Sequence, residues 1–193
     1  MPYFLQFTSR IPLVLIALSV SLDVISAEDH HHHHSLEAHT HGIATLSISI
    51  EGEEVWLNLQ SPAANIVGFE YRAQTEDQLQ LIENAKTTAA NPAKLFEFKG
   101  GNCALNSSDL DFSAVMPKAH AHNHSHHDHD HENHAEISLT YNYRCKQSNR
   151  LSGMHIEVQN AFPSIKYLEV QWINDNGSNA AMLDHHNHEI SFE

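Results

Sequence analysis

The sequence predicts an α+β domain, mainly antiparallel β with one main helix, that carries histidine-rich segments outside its core. Period-two alternation of apolar residues recurs in six or so short stretches, the signature of half-buried strands. One stretch alone, 75–91, has helical spacing. The 19 histidines are gathered into three tracts of seven (29–42), eight (120–134) and three (184–189), which leaves His155 isolated. Outside those tracts the composition is that of an ordinary globular domain with one core.

The elements follow in chain order. Residues 29–42 have no apolar periodicity and are expected to be flexible. Ala44, Leu46, Ile48 and Ile50 alternate, Glu51-Gly52-Glu53 makes a turn, and Val55, Leu57 and Leu59 resume the alternation, which predicts a β-hairpin. Ser61-Pro62 ends it, and 62–67 is expected to form a short helical turn before Gly68. Thr75 caps the main helix, Asp77 favours its positive end, and Leu79, Ile82 and Ala89 share a face. Asn91-Pro92 stops it. Residues 94–99 read as a short strand or helical turn, Gly100-Gly101 bends the chain, and 105–115 holds another strand. Alternation resumes through Ile137, Leu139, Tyr141 and Tyr143. Residues 154–158 and 167–173 are strand-like, Asn174-Asp175-Asn176-Gly177 is a turn, and 189–192 reads as an edge strand. Trp56, Trp172 and Phe69 are expected to be core or half-buried.

Charge and targeting narrow the function classes. A formal charge of −14 with histidines neutral repels nucleic acid and concentrates cations. Residues 1–27 read as a signal peptide: Arg10 flanks an apolar run, 11–22, and Ile25-Ser26-Ala27 offers a cleavage site. A membrane span needs roughly 20 apolar residues, and Asp23 stops this run early, so no membrane insertion is expected after cleavage. The expected organisation is thus a signal peptide (1–27), a histidine-rich segment (28–42) and a domain (43–193) with a disordered histidine-rich insertion at 118–135. An even pair of cysteines in an exported chain, Cys103 and Cys145, suggests one disulfide enclosing that insertion. A thiolate metal site is the alternative.

The histidines carry the chemistry. Neutral imidazole suits Zn²⁺, Cu²⁺ and Ni²⁺, whereas Ca²⁺ and Mg²⁺ prefer oxygen. In the central tract His120, His122, His124, His126, His127, His129, His131 and His134 alternate with Asp128, Asp130 and Glu132. Such a tract offers many interchangeable ligand sets without fixing one geometry, which suits capture, buffering or handover better than catalysis. His39 and His41, and likewise His186 and His188, are spaced i, i+2. On a strand each pair would share one side of the sheet, so the two pairs are the candidates for an ordered site. His155, between apolar neighbours, reads as a hydrogen-bonded structural residue before a ligand. No His-Glu-x-x-His occurs, since His131-Glu132-Asn133-His134 has the wrong spacing, and no nucleophile elbow or nucleotide loop is present. A zinc hydrolase is therefore a distant alternative, and the chain is expected not to be an enzyme. A copper or nickel tolerance protein is nearer, because intrinsic affinity favours Cu²⁺. Scattered methionines argue against Cu⁺.

The residues resemble the ZrgA family of zinc-regulated periplasmic proteins from gamma-proteobacteria. The resemblance rests on the signal-like segment, His39-Thr40-His41-Gly42 entering the first strand, and the phrase Ser61-Pro62-Ala63-Ala64-Asn65-Ile66-Val67-Gly68-Phe69-Glu70-Tyr71. A downstream cysteine, the acidic histidine tract and the final strand continue it. It implies a periplasmic location and zinc binding in support of a zinc ABC importer, whose periplasmic receptor would be the partner. Tyr71 stands where many relatives would have histidine. Glu70 remains as a candidate oxygen ligand or a structural acceptor.

Overall fold

A computed structural model describes residues 41–118 and 135–192. The expectations for the signal segment, for His39 and for the central tract from His120 to His134 fall outside those residues. What is described is an antiparallel-dominated α+β body, as the alternation predicts.

The hairpin forms from β1 (Ile43–Glu51) and β2 (Glu54–Pro62), with Gly52 in the left-handed region at its turn. Its inward set is the predicted one: Ala44, Leu46, Ile48, Val55, Leu57 and Leu59 are all buried. That phase turns Trp56 outward, where it is 48 % exposed and so half-buried at most, whereas Trp172 and Phe69 are buried. Helix α1 (Ala63–Val67) ends on Gly68 at φ 89°, and α2 (Glu76–Ala89) starts at Thr75. There Thr75 and Gln78 form a reciprocal capping box, satisfying two backbone N–H groups that would otherwise lack partners. A 3-10 turn leads into β3 (Phe96–Lys99), then β4 (Gly101–Asp111) and β5 (Glu136–Gln147). Strand β6 (Gly153–Ile156), α3 (Val158–Ala161), β7 (Tyr167–Asn174), β8 (Gly177–Leu183) and β9 (Glu189–Ser191) complete the body.

The strands form a six-stranded sheet, ordered β4-β5-β2-β1-β7-β8, and a three-stranded sheet, β3-β6-β9. Every pairing is antiparallel except β1 with β7. One face of the large sheet is covered by the small sheet and α2. Phe96 packs on Tyr141 and Phe98 on Tyr143 edge to face, Trp172 meets Phe192, and the Tyr141 hydroxyl donates to Ala89 O at 2.9 Å. The buried apolar residues make one continuous core. Cys103 and Cys145 sit opposite one another in the β4–β5 register and are joined by a disulfide, with Cα atoms 3.9 Å apart. Bridged sulfurs are not thiolates, which removes the cysteine metal site. Among the described residues no helix is long and apolar enough to cross a membrane.

Candidate metal-handling end of the sheet

A single rung of the large sheet locates the histidine segments. It runs Asp111–Ser138–Gln60–Thr45–Glu169–Met182 across all six strands. His41 lies four residues before Thr45, the central tract lies between Asp111 and Ser138, and His185 follows Met182 by three residues. The described residues that flank all three histidine segments therefore lie at the same end of one sheet. At about 4.8 Å between neighbouring strands, the rung is roughly 24 Å from edge to edge.

The described anchors at that end are tightly bonded. Asn65, buried, accepts from Gly42 N at 2.8 Å and donates to Ile43 O at 2.9 Å and Ser61 Oγ at 3.1 Å. Gly42 O in turn accepts from Lys166 N and Tyr167 N at the start of β7. Gly42 itself has φ +87°, a conformation that a side chain would strain. Ala63 N donates to Ala135 O, Ala73 N to Val115 O, and Arg72 reaches Ser113 O and Met116 O. Both ends of the central tract are thus held beside α1 and the segment that follows it. On the far side, Gln159 of α3 donates to Lys166 O and Leu183 O, joining the ends of β7 and β8. The Ser61-to-Tyr71 phrase consequently has a structural meaning: it builds this junction.

His41 Nε2 lies 2.9 Å from Glu70 Oε1. Strand β1 begins only at Ile43, because Gly42 turns the chain, so His41 stands in a turn and not on the sheet. His186 and His188 likewise precede β9 and lie in or beside the turn that follows Asp184. Asp184 Oδ1 accepts from His186 N and Asn187 N, and the His186 bond is the main cause holding its carboxyl below the usual carboxylate range. The i, i+2 spacing therefore does not place His186 and His188 on one face of a strand, and His41 lies outside β1. Tyr71 stacks near Phe69 and its hydroxyl accepts from Gln78 Nε2 at 2.9 Å, a helix-entry contact.

His155 and His188 are brought together, their ring centroids 5.9 Å apart. His155 points outward from β6 between inward Met154 and Ile156, directly between Glu97 of β3 and Glu189 of β9. Its Nε2 is 2.5 Å from Glu157 Oε1, and its Nδ1 is 3.6 Å from Glu189 Oε1. Asn160 Nδ2 donates to the other Glu157 oxygen, and Lys99 Nζ sits 2.6 Å from Glu189 Oε2. Hydrogen bonds from His155 and Asn160 hold Glu157 below the usual carboxylate range, and Lys99 does the same for Glu189. Sequence reasoning did not single out Glu157 or Glu189. Their signal was the His155-Ile156-Glu157 spacing together with a cross-strand rung that only the register reveals. Among the described residues, no three His, Cys, Asp or Glu side chains already converge on one point to hold a metal ion.

The β-rich body thus sets the described anchors of its histidine segments at one end of the large sheet. A family model described as ZrgA family zinc uptake protein matches residues 38–192, and the chain belongs to that family. A zinc-related uptake role goes with that membership. No curated protein matches the chain significantly.

Proposed function

We propose that the chain is a periplasmic protein, exported through the cleaved segment 1–27, that captures, buffers or delivers Zn²⁺ in support of zinc import. The observation that supports it best is the shared origin of the three histidine segments at one end of the large sheet. His39 and His41, the central tract from His120 to His134, and His186 with His188 then draw on one local supply of ions. An ion released near one of these anchors is within a few strand spacings of the next, which favours exchange over escape. Multiple weak, interchangeable ligand sets capture quickly, and transfer between them requires no single deep site. The acidic surface raises the local cation concentration further. Because protons compete for imidazole, capture weakens as pH falls through about 6.5.

The experiment is a chelator titration together with Zn²⁺ transfer to the periplasmic receptor of a zinc ABC importer, with and without residues 119–135. The full chain is expected to bind several equivalents and to accelerate loading of the receptor, and the shortened chain to lose most of both. Equal zinc binding by the full chain and by one lacking all three tracts would sink the reading.

A further inference from the structure

We propose that His155, Glu157 and His188 form a discrete zinc site at the junction of β6 and β9, distinct from the central tract and sharing only His188 with the C-terminal one. The proposal rests on the zinc reading above and names within it a place, among the described residues, where ligands come from the folded body.

The spacing of the groups supports it. With Zn–N near 2.0 Å, two imidazoles on a tetrahedral ion have ring centroids about 5.2 Å apart, and those of His155 and His188 are 5.9 Å apart. The His155 Nε2 and Glu157 Oε1 atoms, 2.5 Å apart, need only separate by roughly 0.8 Å to share an ion in place of a proton. The supporting contacts are those that metal-bound histidine and carboxylate groups use. Glu189, steadied by Lys99, faces His155 Nδ1 and can accept its proton bond, which fixes the tautomer that presents Nε2 to the ion. Asn160 holds the outer oxygen of Glu157 and leaves the inner one aimed at His155.

His188 is the part that moves. Its Nδ1 lies 3.3 Å from Ile156 O and its Nε2 3.1 Å from His185 O, both acceptors. A neutral imidazole carries one N–H, so one of its nitrogens faces a carbonyl with a lone pair. Turning the ring toward His155 relieves that opposition and supplies the third ligand. Three protein ligands leave a fourth position for water. His155 and Glu157 side chains are 30 % and 35 % exposed, so that position is reachable by a ligand of a receiving protein. An ion here is held firmly enough to be ordered and openly enough to be handed on.

The test uses the full mature chain and Zn²⁺ alone, in competition with a chromophoric chelator, with Co²⁺ absorption as a second readout. Wild type is expected to show one tight equivalent above the weaker tract sites, and intense tetrahedral Co²⁺ bands. His155→Ala should lose that equivalent and those bands while keeping the weak sites. Glu189→Gln, which keeps an acceptor beside His155 but removes the charge that faces it and pairs with Lys99, should weaken the tight site about 10- to 100-fold. His155→Asn, which can still hydrogen-bond Glu157, is the control for folding and should lose the tight equivalent with an unchanged fold. If both His155 variants retain every equivalent while the protein binds zinc, the site is overturned and the collecting role stands. If wild type binds no zinc at all, both fall.

Discussion

Two tyrosines on β5 point into the same core and differ in one atom's surroundings. The Tyr141 hydroxyl donates to Ala89 O at the end of α2, whereas the Tyr143 hydroxyl is buried without a hydrogen-bond partner among the described residues. A net hydrogen bond contributes about 1 kcal/mol, and an unsatisfied buried group opposes folding by a similar or larger amount. Tyr141→Phe is therefore expected to lower the urea midpoint by an amount worth about 1 kcal/mol, and Tyr143→Phe to leave it unchanged or raise it. The same burial raises both phenol pKa values, that of Tyr143 to about 12. A folded pKa raised above the unfolded value of 10 gives stability that is whole below pH 10 and lost as pH rises toward 12. Tyr143→Phe should accordingly flatten the alkaline decline by roughly 1.4 kcal/mol per pH unit in that window, measured by urea unfolding from pH 9 to 12. At this scale the alternation in the sequence identifies both tyrosines as inward-facing. Which hydroxyl finds a partner depends on where α2 ends against the sheet, and no local pattern encodes that.

The elements were legible where their signal is local. The hairpin, the capped helix and β5 announce themselves through alternation and capping chemistry within a few residues. Strand β8 does not: Gly177–Leu183 is a small-residue edge strand, mostly exposed, with little contrast between its faces. Helix α3, four residues long, is too short for periodicity. The parallel pairing of β1 with β7 joins segments more than a hundred residues apart. The candidate site follows the same division. Histidine density marked the tracts, whereas the Glu97–His155–Glu189 rung needed three strands in register. The disulfide was readable from export and cysteine parity, and its consequence belongs to the β4–β5 pair. It ties two strands whose connection is long, across a sequence separation of 42. Restricting a loop of that length in the unfolded chain is worth about 4 kcal/mol on the chain-entropy model. The double substitution Cys103→Ala and Cys145→Ala should lower unfolding stability by about that amount. In reductant, wild type should fall to the level of the variant, because the native strand pairing no longer has its crosslink.

For the molecule as a whole, the proposed arrangement would separate two kinds of zinc binding by their effect on folding. The central tract lies between β4 and β5 in sequence, and its imidazoles lie within a few residues of one another whether or not the sheet has formed. A ligand that binds folded and unfolded chains alike leaves their balance unchanged. The His155–Glu157–His188 set, in contrast, draws its members from β6, the residue beside α3 and the entry to β9, which meet only in the folded body. Zinc at that site binds the folded chain alone and stabilises it by about 2.7 kcal/mol when free ion stands at a hundred times the dissociation constant. For a body of this size that corresponds to a rise in melting temperature of roughly 5–10 °C. Wild type should show this rise on addition of zinc, and a chain lacking 119–134 should show nearly the same rise with fewer ions bound. His155→Ala should bind most of the ions and melt at almost one temperature with or without them. A melting temperature that instead follows the number of tract histidines would place the stabilising ion in the tract, and the division of labour between collector and ordered site would not hold.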